Sequence, residues 1–250
     1  MYKLVSFCVF FRASGGTRAL LFGGYDGLVL AICMVAGCAG GGLPLLTATT
    51  LGTAATAARA ISVGMNELLS ARAHRQYLES ARRREMWEFQ HFRDREIHQM
   101  TSRFVSRGMQ RKEAELVVSQ MAQCERLFVG LMVVEELGCR VPDVDEDSHH
   151  SQLMMWADAL LMMVSFAFCG LFPFAALWFG MECHLSDSAS YRLSIVVSFV
   201  LLLVVSLLKK TLSTASLLHA LTESIALGAG CAAVAFALGS LGAQFVTWGE

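Results

Sequence analysis

Apolar residues fall in long blocks along this chain, separated by one extended polar stretch. From Gly27 to Ala58 no residue is charged, and the same holds from Leu160 to Met181, Leu193 to Leu208 and Ser224 to Gly249. A helix needs about 20 apolar residues to cross about 30 Å of hydrocarbon. The first block is too long for one span and is interrupted by GGGLPLL with Pro44. The pattern therefore predicts five transmembrane helices: roughly 19–40, 44–65, a third over 160–181, a fourth from near 188 to 208, and a fifth over 224–249. Residues 66–150 hold 13 of the 20 Lys and Arg and 15 of the 21 Asp and Glu. The chain is thus expected to be an all-α membrane protein with a polar helical insert between helices 2 and 3. Its segments are a terminal stretch 1–18, helices over 19–65, the insert at 66–150, and helices again over 151–250.

The basic residues orient this arrangement. Lys3, Arg12 and Arg18 precede helix 1, the insert carries thirteen, and Lys209 and Lys210 follow helix 4. The 38–46 turn and the 182–188 loop carry none. By the positive-inside rule the N-terminus and the insert face the cytosol, and the C-terminus faces the lumen. The opening MYKLVSFCVFFRASGG lacks a small-residue cleavage site, so it is read as cytosolic rather than as a signal peptide.

Composition narrows the class. Of the 250 residues, 55% are hydrophobic and 16% charged, against about 25% charged in soluble domains. A soluble enzyme and a disordered chain are both disfavoured. The net charge of −1 gives no reason to expect a nucleic-acid partner. Eight cysteines form no CxxC pair, and several sit in apolar runs as small hydrophobes. Runs such as AGCAGGG and TAATAA suit helices that pack backbone to backbone.

Three polar features carry candidate chemistry. Asp26 lies within helix 1, where an ionisable group is costly and a functional candidate by default. It could ligate a cation, carry a proton, or simply pair with Arg59 near the end of helix 2; Glu67 lies just beyond. Residues 67–100 read as one long helix that continues helix 2, followed by helices over 111–124 and 125–137 with Gly138 as cap. On a wheel of that long helix, Glu85, Glu88, Glu96 and Gln99 share an arc of about 80°. On the last insert helix, Glu125, Glu135, Glu136 and Cys139 lie around Met132. Oxygen ligands with a sulfur suit a divalent transition metal, although the same residues also suit a solvated helix with i,i+4 ion pairs such as Arg84–Glu88. Finally, Glu88-x-x-His91 and Glu146-x-x-His149 have the spacing used by di-iron carboxylate bundles.

The segments FGGYDGLVLAICMVAGCAGG, AISVGMNELLSARAHRQY, SFAFCGLFPFAALW and LGAGCAAVAFALGSLG, in that order, resemble the vacuolar iron transporter family. The resemblance implies a homodimer that moves ferrous iron, and often manganese, from the cytosol into an acidic, vacuole-like organelle in exchange for protons. It implies metal binding by the insert through Glu85, Glu88, Glu96, Gln99, Met132, Glu135 and Glu136, with zinc as a further ion for that site. Gln99 stands where the family has a fourth glutamate, and Val133 where it has a second methionine. In the membrane, Asp26 and Glu67 match acidic positions of the family's motifs. Val63 replaces a methionine there, with Met65 two residues on. In that picture metal passes Glu67, Met65 and Asp26, and Asp26 takes a proton from the lumen. The alternatives are a membrane-anchored metal buffer or sensor, and a di-iron membrane enzyme.

Overall fold

The computed structural model describes residues 15–138, 148–210 and 217–247. The amino-terminal run, Cys139, Glu146 and most of the acidic linker at 143–150 lie outside them. Among the described residues the chain is all helical, with eight helices: α1 Gly16–Gly40, α2 Leu45–His91, α3 Arg93–Ser106, α4 Arg111–Met121, α5 Glu125–Leu137, α6 Ser148–Glu182, α7 Asp187–Lys210 and α8 Leu217–Thr247. They form two compact units. One comprises Met1–Leu68 with Leu153–Glu250, the other Leu69–Gln152.

In the first unit, four helices are long and apolar enough to cross a membrane: Gly16–Gly40, Gln152–Glu182, Asp187–Lys209 and Leu221–Phe245. The expected second span is helical, as the first part of α2, but is not among these four. Its threonines and Arg59 dilute the leucines that a clear span would need. Glycines set the packing, because a side chain there would collide with a neighbouring backbone. A Cβ on Gly27 would strike the Phe166 carbonyl, and one on Gly239 the Gly37 carbonyl. The contacts also give direction. Gly15, just before α1, and Gly23 and Gly27 within it meet Asp158, Met162 and Phe166 of α6 in rising order, so those helices run parallel. Gly37 meets Ala235 and Gly41 meets Gly239, so α1 and α8 run parallel too. Gly52 of α2 meets Phe174, whereas Gly64 meets Ala159 and Met163, so the first part of α2 runs antiparallel to α6.

The turn into α2 follows from its residues. Gly42 adopts φ 63°, and the Leu43 N–H reaches back to the Cys38 carbonyl at 3.0 Å. A left-handed glycine closing a helix in this way is the Schellman arrangement. Hydroxyls fasten other elements: Ser165 donates to the Leu20 carbonyl, Ser194 to that of Pro173, and Tyr191 to that of Leu43.

The second unit corrects the expectation of one unbroken helix over 67–100. The helix stops at His91, and Phe92 leaves helical space at φ −133°, ψ 41°. The cause is tertiary. In a straight helix Met100 would stand about 16 Å along the axis from Phe89. The break returns it to the same core, with Val118, Ala122, Phe128, Val129 and Met132. Phe89 and Phe128 meet there as a tilted pair, with ring centroids 4.9 Å apart and planes at 41°. Four helical segments therefore build this unit instead of the expected three. The helix expected over 111–124 ends at Met121, and Cys124 caps α5. Gly138, at φ 64°, closes α5 as expected, its N–H on the Val134 carbonyl.

Candidate metal centre

The break at Phe92 also creates the site. On one straight helix Glu85 and Glu96 would lie about 16 Å apart, a separation the wheel does not display. With α3 turned back, one carboxylate oxygen from each of Glu85, Glu88 and Glu96 falls within 4.8 Å of the others. Glu96 sits in the first turn of α3, where unsatisfied backbone N–H groups favour a negative charge. Glu85 is only 2% exposed and Glu96 3%.

Three carboxylates packed this closely repel one another, and burial strips them of water. The Glu85 carboxyl is pushed up to about 7, first by burial and then by the nearby charge of Glu136 and of Glu88, with Arg84 opposing. Its Oε2 is buried and receives no hydrogen bond. Such an oxygen is an open ligand position for a cation or a proton.

The remaining expected ligands are distributed around this triad. Glu136 adjoins Glu85 and is held by Gln99 at 2.9 Å and Arg103 at 2.6 Å. Gln99 therefore reaches the cluster through Glu136, donating with its amide. Glu135 is turned to Arg107. Met132, 2% exposed, is embedded in the apolar core beside Phe89 and Phe128. Glu125 accepts from Gln90 at 2.8 Å. His91, of the first E-x-x-H, is spent elsewhere: its ring stacks on Trp87 at 4.4 Å and Nδ1 lies 2.8 Å from the Trp87 carbonyl.

In the membrane unit, Asp26 is exposed on α1, and it forms no ion pair with Arg59, which is exposed on α2. Met65 is exposed as well. Glu67 pairs with Arg18 at 3.3 Å. Asp158 of α6 completes that group, interacting with both Glu67 and Arg18. Sequence reasoning missed Asp158, which stands two residues before an uncharged run and looked like its border. Of the arginines that face the acids it had only Arg84, as the i,i+4 partner of Glu88, and it missed Arg95, Arg103 and Arg107. The i,i+1 and i,i+4 spacings were readable, but the partners across the break were not.

Apolar helices joined to a polar helical unit with converging buried carboxylates define a multi-pass membrane protein with a candidate cation centre. The comparison with known proteins makes this specific. The chain belongs to the VIT family, whose sequence profile matches residues 17–240. It is 31% identical over 197 residues to the vacuolar iron transporter of Toxoplasma gondii, covering 76% of this chain and 63% of that protein. It is 25% identical over 191 residues to that of Plasmodium berghei, covering 74% and 68%. Against vacuolar iron transporter 2 of Oryza sativa subsp. japonica it is 27% identical over 133 residues, 53% and 54% of the two chains. The chain thus spans a little under two thirds of the T. gondii relative's length.

Proposed function

We propose that this protein is a transporter, not an enzyme, and moves ferrous iron, with manganese as a second cargo, from the cytosol into an acidic organelle in exchange for protons. The observation that carries the reading is the convergence of Glu85, Glu88 and Glu96 within 4.8 Å in a member of the VIT family. The relatives named vacuolar iron transporter supply the cargo and the organelle. Three hard oxygen ligands suit ferrous and manganous ions. The cluster collects metal on the cytosolic side. Glu67 and Met65 then pass it to Asp26, whose carboxylate takes a proton from the acidic lumen as the ion leaves.

Five spans serve this reading, and the helix directions support them. If the first part of α2 did not cross, α6 would have to run opposite to α1, yet the two are parallel. The same region of α2 lies against α6 from Phe174 to Ala159, about 22 Å of helix at 1.5 Å per residue. An odd count sets the two termini on opposite sides, and the basic residues of the N-terminal run and the insert favour the cytosol for these and the lumen for the C-terminus. Asp26, exposed on α1, is the kind of group that the second subunit of a homodimer covers.

The test is ferrous-iron flux into proteoliposomes with and without an inside-acid gradient, with manganese alongside. Gradient-dependent uptake is the expected result. Flux indifferent to the gradient overturns the exchange, and binding without flux overturns transport.

A further inference from the structure

The acids of the polar unit are already met by positive charge from the chain itself. Arg95 Nη2 lies 3.0 Å from Glu96 Oε1 and 3.4 Å from Glu88 Oε2. Its Nε also donates to Glu96 Oε1, at 3.1 Å. The ring of Phe92, the residue at the helix break, backs the guanidinium at 4.8 Å. Arg84 is more loosely placed, 3.5 Å from Glu85 and 3.9 Å from Glu88. The carboxylates of Glu85 and Glu96 are buried, whereas the Arg95 side chain is 59% exposed, so the cation can leave toward water without opening the core. Independently of these contacts, Glu85 Oε2 is buried and without a donor. Arg95 thus pairs with Glu88 and Glu96, whereas Glu85 has only the looser Arg84 on Oε1 and no donor on Oε2.

We infer that Arg95 is a resident counter-cation of this centre, and that divalent metal loads by displacing its guanidinium from Glu88 and Glu96. The inference rests on the reading of the cluster as a metal centre. The exchange makes and breaks no covalent bond. One positive charge bound by two acids gives way to two positive charges bound by three, and the unmatched Glu85 oxygen gains a partner. The chain thereby sets a threshold. Every metal faces the same competitor, so an ion that sheds its water reluctantly, as Mg²⁺ does, fails where a transition metal succeeds.

The experiment is calorimetric titration of the full chain in detergent with Mn²⁺, for wild type, Arg95→Gln, Arg95→Lys and Arg83→Gln. Arg83 belongs to the same unit, is exposed and among the described residues pairs with Glu79, at 3.9 Å, and with no acid of the centre. Displacement predicts that Arg95→Gln tightens Mn²⁺ binding about fivefold, the scale of one exposed ion pair. Arg95→Lys, which keeps the charge, stays nearer wild type. Arg83→Gln changes affinity by less than about twofold, because distant exposed charges are screened. Equal tightening by Arg83→Gln would reduce the effect to net charge and overturn the proposal. Unchanged or weaker binding in Arg95→Gln overturns it as well. A Glu96→Gln chain that binds like wild type removes the metal centre itself, and the reading beneath falls too.

Discussion

Asp26 and Glu85 are both carboxylates on long helices, but the chain surrounds them in opposite ways. In the polar unit each acid of the centre has an arginine in reach: Arg84 for Glu85, Arg95 for Glu88 and Glu96, Arg103 for Glu136 and Arg107 for Glu135. In the membrane unit Asp26 has no ion pair among the described residues. A charge in hydrocarbon costs roughly 2.5–3.5 kcal/mol or more, so an unmatched one there calls for a cation or proton from outside the chain. An acid with an internal partner can wait in a stable form and exchange. In the transport cycle proposed above, the difference separates a site that stores and selects from one that must be refilled on every cycle.

The largest effect is expected where no substitute charge exists. Asp26→Ala abolishes gradient-driven uptake in proteoliposomes while the protein still elutes as a folded species in detergent. Normal uptake by this variant would break the contrast at its membrane end. At the other end, Glu85→Ala with Glu88→Ala removes two of the three converging acids. Metal affinity should then fall at least about tenfold, the low end of what losing even an outer partner costs. Calorimetry on the full chain reads that change, and unchanged affinity removes the site.

A third substitution probes the scaffold and leaves the charges alone. Gly27 and Phe166 pack so closely that no Cβ fits between them. Gly27→Val must push α1 from α6, at a cost of about 1–3 kcal/mol for an overpacked site, and its neighbour Asp26 moves with it. The expected outcome is a lower thermal midpoint in detergent together with slower uptake, and metal binding by the polar unit unchanged. Loss of that binding would show that the two units are not energetically separable.

How far the sequence reached differs between the same two regions. Uncharged blocks and alternating basic loops located the helices of the membrane unit, because hydropathy accumulates along a chain and needs no partner. Close approach was not legible, since the meeting of Gly27 with Phe166 depends on residues well over a hundred positions apart. In the polar unit the wheel picked out Glu85, Glu88 and Glu96 for an incomplete reason. It measured angle and ignored the 16 Å or so of axial rise between 85 and 96. What cancels that rise is Phe92, which no propensity marks as a breaker and which yields only because Met100 gains a core. The wheels also set Gln99 beside those acids and Met132 at the centre of its own face, and the resemblance then implied both as ligands. The structure gives the first a bond to Glu136 and the second a place in the core.

The smallest expected effect is a dependence on pH that only the polar unit should show near neutrality. Glu85 titrates at about 7 in the folded chain, raised from 4.5 chiefly by burial. The folded state therefore holds this proton more tightly than the unfolded one. Without metal, the stability tied to that proton is full below 4.5 and is lost as pH rises through 7. Metal competes for the same oxygens, so its affinity moves the other way, rising by up to about tenfold per pH unit below 7 and levelling above it. Mn²⁺ titrations from pH 5.5 to 8.5 on the full chain should trace that bend. Glu85→Gln should flatten it, because an amide neither titrates nor carries the charge. A bend that survives Glu85→Gln would assign the proton to another group and leave the poise of this centre unexplained by the crowding of its acids.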